Sequence, residues 1–227
     1  MKLDLIEDGD RLAYRAHAVT PREQMVLRAA LFAEDEGVWL KAFDRRALLF
    51  EHDLELLRHN FERLVRREAA GPPTAEVVFG ALERVHDAFS GAGMDWWLAG
   101  SGALLARGLD VRPHDLDVMI DESHVERLVG IARPLAVEPF HRVTGWVVRG
   151  FGVLDMGCRV DVGFEPEAWV DEHGPVDFGP AAARALETIT WRGLAIRVAP
   201  LAYHLGPNRA RGRHAVVEAI ERRLAAR

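Results

Sequence analysis

The sequence predicts an α/β fold: a mixed β-sheet with flanking helices, preceded by a small, mostly helical N-terminal region over residues 1–70. Three observations predict it. From residue 74 to residue 227 short apolar runs alternate with amphipathic stretches of helical period. Gly71-Pro72-Pro73-Thr74 breaks the chain just before that alternation begins. The run from Asp95 to Asp121, DWWLAGSGALLARGLDVRPHDLDVMID, then reads as strand, Gly-Ser turn, helix and strand in one sweep.

In the first region, LDLI and RLAYRAHAV flank an Asp8-Gly9 turn and predict a hairpin. Thr20-Pro21-Arg22-Glu23 supplies an N-cap hydroxyl, a proline at the first helical position and a capping-box glutamate. GVWLKAF predicts a short strand. Residues 44–70 predict a helix with Leu54, Leu57, Phe61 and Leu64 on one stripe. Beyond the break, Thr74 caps a helix through AEVVFGALERVHDAF. The strand DWWLAG, the helix SGALLARG and the strand HDLDVMI follow. Ser123 and Glu126 suggest a second capping box ahead of HVERLVGIA. TGWVVRGFGVLDMG and CRVDVGF alternate as strands, LETITW and LAIRVA as a later hairpin, and HAVVEAIERRLAAR closes the chain as a helix.

Composition narrows the function. The 227 residues suit one ordinary domain with an appendage. A formal charge of −6 argues against a general nucleic-acid coat, though not against a small basic groove. Lys2 and Lys41 are the only lysines, so phosphate contacts fall to arginine. Cys158 is the single cysteine, which fits a reducing cytoplasm. No apolar run reaches the roughly 18 residues of a membrane span, and the acidic start MKLDLIEDGD lacks a signal-peptide core.

The chemistry concentrates at Asp115 and Asp117. Residues i and i+2 of a strand share a face, so Asp115-Leu116-Asp117 aims two carboxylates at one point. Two like charges held together suit a divalent cation. Asp161, between Val160 and Val162, is a third acid, and a neighbouring strand would bring it to the pair. Gly100 and Ser101 offer backbone N–H groups, a hydroxyl and no side chain at Gly100 to block a phosphate. A dinucleotide fingerprint fails because Leu105 stands where Gly or Ala belongs. A serine-hydrolase elbow fails because position 99 is Ala. Arg107 and Arg112 are candidate phosphate ligands or surface arginines. Arg209, Arg211 and Arg213 form the one compact basic cluster near the proposed site, read either as a phosphate clamp or as a solvated turn. Trp96 and Trp97 read as core or as a base-stacking platform.

Gly100-Ser101, Asp115-Leu116-Asp117-Val118 and Asp161-Val162 together resemble the signature of the DNA polymerase β-like nucleotidyltransferase superfamily. Arg112-Pro113-His114 is similar to the Arg-x-His that precedes the paired acids of small antibiotic nucleotidyltransferases, of aminoglycoside or lincosamide type. The resemblance covers residues 75 to 205. It implies a nucleotidyltransferase-type sheet and a metal-dependent enzyme. Such an enzyme moves a nucleoside monophosphate from an NTP such as ATP to a hydroxyl and releases pyrophosphate. It implies Asp115, Asp117 and Asp161 as catalytic residues and ligands of two Mg²⁺ (Mn²⁺ would also serve). It implies Gly100 and Ser101 on the triphosphate, with Arg107, Arg112, Arg211 and Arg213 as the further candidate nucleotide ligands from the residue reading. A small-molecule acceptor is favoured. The alternatives are a toxin–antitoxin-type enzyme acting on protein or tRNA, and a catalytically silent binding module. Where many relatives carry a Lys-Asp-x-x-Asp-like helix, this chain has Arg211-Gly212-Arg213-His214, and no helical bundle follows.

Overall fold

The computed structural model describes residues 1–226. Strands β1 (Lys2–Asp8) and β2 (Arg11–His17) form the expected hairpin, with Gly9 at φ +57° in its turn. Helix α1 (Pro21–Ala29) opens on a complete Thr20–Glu23 capping box. Strands β3 (Ala33–Asp35) and β4 (Val38–Asp44) complete a four-stranded antiparallel sheet ordered β1-β2-β4-β3. Helix α2 (Leu54–Ala70) lays Leu57, Phe61 and Leu64 against it. The N-terminal region therefore holds about as much strand as helix, rather than being mostly helical.

Helix α3 (Ala75–Gly91), capped by Thr74, leads into the second sheet. Its elements are β5 (Trp96–Ala99), α4 (Gly100–Ala106), β6 (Asp115–Ile120), α5 (Val125–Leu135), β7 (Ala136–Arg142), β8 (Val148–Asp155) and β9 (Arg159–Pro166). After the short α6 (Pro180–Arg184) come the hairpin β10 (Glu187–Trp191) and β11 (Leu194–Val198), then α7 (Leu205–Ala210) and α8 (His214–Ala225). The seven strands order β10-β11-β5-β6-β9-β8-β7. Asp121, not Ser123, is the local cap before α5: it accepts from the Ser123 N–H and hydroxyl.

β6 and β9 run parallel, with Asp117 opposite Asp161. A one-residue slip would turn Asp161 to the other face. Val118, Val160 and Val162, all fully buried, hold the register by keeping the alternate face in the core. Strand β7 escapes the sequence reading because Glu138 and Pro139 interrupt its alternation.

The core runs without a break across the expected boundary near residue 70. The Tyr14 hydroxyl donates to the Val137 carbonyl at 2.6 Å, and Asn60 Nδ2 donates to the Pro134 and Ala136 carbonyls. Lys41 Nζ, on β4, reaches the fully buried Glu138 at 2.6 Å. Such a buried pair is costly to break, because removing one partner strands the other charge.

Candidate active site

The paired acids arise as the strand period dictates. Asp115 and Asp117 are half-buried on one face of β6 while Leu116 between them is fully buried. Asp161 joins them from β9, but its carboxylate is gripped by Arg159: Nε donates to Oδ1 at 2.6 Å and Nη2 to Oδ2 at 3.3 Å. Arg159 also lies 3.9 Å from Glu138. A line of alternating charge thus runs from Lys41 through Glu138 and Arg159 to Asp161.

The electrostatics follow. Burial raises the Asp117 pKa well above its ordinary value; Asp115, Asp161 and Asp177 add to the rise and Arg211 opposes it. Burial pushes Asp161 up to about 6, with Arg159 opposing and Asp115 adding. Burial alone would lower the Arg159 pKa, but Asp161 and Glu138 outweigh it and push it up. Two acids that repel and a third already paired are a donor set that a cation would relieve. The three carboxylates do not themselves close into a cage. Among the described residues no group of three His, Cys, Asp or Glu side chains is arranged to hold a metal ion. Asp117 and Asp161 face each other across β6 and β9 and line one cleft, with the Asp161 carboxylate paired to Arg159.

Gly100, at φ +61°, lies directly against Asp117, and a Cβ there would overlap the Asp117 carboxylate. Glycine is required at this turn to admit the acid, whatever else it admits. The Gly100 N–H already has an acceptor, Asp177 Oδ2, at 2.6 Å. Asp177 Oδ2 also lies 3.2 Å from His204 Nδ1, and the Asp177 carbonyl accepts from Trp97 Nε1. Burial lowers the His204 pKa, with Asp177 opposing and Arg107 adding to the fall, so the ring is neutral near neutrality. His204 Nε2 and Asn208 Oδ1 are buried without protein partners.

Two clefts flank the acids. One, about 260 Å³, runs from Gly100 and Ser101 past Asp117 and Asp161 to Arg211 and Arg213. Its other wall is aromatic, with Trp146, Phe151 and Phe178. The second, about 570 Å³, is lined by His114, Asp115, Arg159 and Asp161. It is roofed by α1 and the end of α2.

Of the expected nucleotide ligands, the first cleft gathers Gly100, Ser101, Arg211 and Arg213. Arg107 is elsewhere: its guanidinium is spent on Glu187 and the Ala199 carbonyl, both at 2.7 Å. Arg112 is exposed and lines neither cleft. Arg209 pairs with Glu221 at 2.6 Å. Trp96 and Trp97 are core; the partly exposed indole in the cleft belongs to Trp146. Sequence reasoning missed Asp177, His204 and Asn208. The available signal was Asp177 itself, an acid between Val176 and Phe178 in a Gly- and Pro-rich loop.

The family model described as aminoglycoside-2''-adenylyltransferase matches residues 81–139, a segment holding Gly100, Ser101, Asp115 and Asp117. Among solved structures, a Thermotoga maritima protein described provisionally as a nucleotidyltransferase is similar at TM-score 0.50 and 19% identity. The match covers 69% of this chain and 98% of that one. The fold is that of the nucleotidyltransferases. The structural match shows the shared fold, and the family model adds a nucleotidyltransferase likeness of antibiotic type over the matched segment. No curated protein matches. The segment matched by the nucleotidyltransferase model starts beyond residues 1–70, and so does not include the roof of the second cleft.

Proposed function

We propose that the protein transfers a nucleoside monophosphate from an NTP, ATP foremost, to a hydroxyl of a small-molecule acceptor. The observation that carries this reading is the convergence on one cleft of Asp117 and Asp161, in register on adjacent strands, with Gly100, Ser101, Arg211 and Arg213. Asp115 and Asp117 would hold Mg²⁺, which when bound neutralises charge on the reacting phosphate oxygens. Arg211 and Arg213, exposed at the mouth, reach toward the triphosphate and hold its outer charge. Ser101 donates a hydroxyl hydrogen bond to it. The aromatic wall accepts the base by stacking. Arg159 keeps Asp161 in place beside the reacting centre. Catalysis on this reading is mostly positioning and electrostatics.

The small acceptor is supported by the name of the matched family and by a formal charge of −6. A cytoplasmic location belongs to the same reading, supported by the single free cysteine, which is buried. The test is incubation with α-labelled ATP, CTP, GTP and UTP, Mg²⁺, and a panel of aminoglycosides, lincosamides and tRNA. The reading expects label on a small molecule and pyrophosphate release that needs both substrates. Label on tRNA or on protein, or tight nucleotide binding with no transfer to anything, would overturn it.

A further inference from the structure

His204 and Asn208 line the first cleft one helical turn apart, just before α7 and within it. They are only 1% and 6% exposed, and among the described residues His204 Nε2 and Asn208 Oδ1 have no partner. Neighbouring groups fix what these two atoms can do. Asn208 Nδ2 donates to the His204 carbonyl at 2.8 Å, which leaves Oδ1 as an unused acceptor. His204 Nδ1 lies 3.2 Å from Asp177 Oδ2, the oxygen that accepts the Gly100 N–H. A neutral ring beside a carboxylate keeps its proton on the nitrogen that faces it, so Nε2 is an acceptor as well. The cleft wall therefore buries two acceptors for which the described residues supply no donor. Such groups cost stability until something pairs with them.

Their placement narrows the donor. His204, Asn208 and Arg211 follow one another at helical spacing and all line the cleft, with Arg211 exposed. Asp177, beside His204, ties the Gly100 turn to the aromatic wall: its carboxylate accepts the Gly100 N–H, and the next residue is Phe178. A nucleotide with its base on that wall and its outer phosphates at Arg211 has its sugar between them. A phosphate oxygen is itself an acceptor and would be repelled by these two atoms. A sugar hydroxyl is a donor, and a ribose carries two on adjacent carbons.

We infer that His204 and Asn208 select the sugar of the nucleotide: their unused acceptors take the 2′- and 3′-hydroxyls of a ribonucleoside triphosphate and discriminate against a deoxyribonucleotide. Asp177 is a positioning residue in this assignment, holding the imidazole with Nε2 available to the sugar. The inference rests on the nucleotidyl-transfer reading for the way the nucleotide lies. It concerns residues outside segment 81–139, the part that the family model matches. A site built to hydrogen-bond a hydroxyl rejects the analogue that lacks it, because a buried acceptor is then left unpaired.

The test titrates the full chain, with Mg²⁺ and no acceptor substrate, in a calorimeter with ATP, 2′-deoxy-ATP and 3′-deoxy-ATP. Wild type should bind ATP about tenfold or more tightly than either deoxynucleotide, the worth of one buried hydrogen bond left unmade. His204→Asn keeps an amide N–H for Asp177 and removes the Nε2 acceptor. Asn208→Leu removes the Oδ1 acceptor. Each variant should cut the preference for ATP over one of the two deoxynucleotides to less than about threefold, while that deoxynucleotide keeps its wild-type Kd within about threefold. A purely structural role would weaken all three nucleotides alike. Equal binding of the three by wild type overturns the inference, and so does a folded variant that weakens all three by the same factor. Circular dichroism checks each fold, and Asn208→Ala replaces Asn208→Leu where the larger side chain does not pack. A wild type that transfers label to an acceptor but shows no sugar preference overturns this inference alone. One that prefers ATP in this way but transfers label to nothing overturns the function proposed above and leaves the sugar site standing.

Discussion

The two clefts beside the acids are built in opposite ways. The first is built from a local motif. Gly100, Ser101, Asp115 and Asp117 lie within one strand–turn–helix–strand passage, and Asp161 arrives by strand pairing. The second is built from distance in sequence. Glu68 and Met25 meet Asp115 and Arg159 only because the N-terminal sheet and α2 are fused to β7 through one core. The difference teaches that the two clefts are separable in sequence while sharing a packed interior.

The largest expected effect lies in that fusion. Lys41→Met would leave Glu138 fully buried with Arg159 3.9 Å away as its remaining counter-charge. Breaking a buried pair from one side costs about 3–5 kcal/mol. Urea denaturation should show that loss, in one transition if the two regions fold together. Two separate transitions, or a loss near zero, would mean that the regions are joined less tightly than the shared core indicates.

The next effect belongs to the first cleft. Asp117→Asn removes the acid that lies against Gly100 and should lower the transfer rate by about 10²–10³-fold, the scale of losing one preorganised electrostatic group. Steady-state assays with a responsive acceptor measure it. Transfer within a few-fold of wild type would take Asp117 out of the chemistry.

Asp177→Ala is expected to be smaller and to act through the turn. It leaves the Gly100 N–H without its acceptor, at about 1–3 kcal/mol of stability for a buried group left unpaired. Nucleotide affinity, read by titration calorimetry, should fall with it. Unchanged nucleotide affinity would show that the Gly100 turn does not position the nucleotide.

The smallest effect is in the pH dependence of the protein kept free of divalent ions. Asp161 is held at about 6 against an ordinary 3.8, so the folded chain binds that proton more tightly than the unfolded chain. Its contribution to stability is present below about pH 4 and is lost as pH rises through about 6. Asp117 is raised well above its ordinary value and has the same sign. The stability of Asp117→Asn relative to wild type should therefore increase from mildly acidic to neutral pH, read by urea midpoints. A relative stability that decreases over that range would contradict the raised pKa values.

Much of the first cleft was legible because local rules write it. The i, i+2 spacing set the shared face of Asp115 and Asp117, and the capping signals at Thr20 and Thr74 placed two helices. What was not legible depended on packing. Arg107 reads as a phosphate ligand until Glu187 and the Ala199 carbonyl claim it. Gly100 reads as room for a phosphate until Asp117 is found lying against it. His204 looks structural until Asp177 is found orienting it in the cleft. Glu68 looks like one more charge on a solvated helix, because nothing in α2 says that its last turn faces β6 and β9.

The central claim is that the acids on β6 serve a nucleotide and its metal. Its most direct test is thermal unfolding of wild type and Asp117→Asn with ATP and Mg²⁺, separately and together. Wild type should be stabilised by the pair, by about 2.7 kcal/mol at a hundredfold excess over Kd, and far less by either alone. Asp117→Asn should lose that gain while remaining folded. Equal stabilisation of both proteins by Mg²⁺ and ATP would contradict the claim.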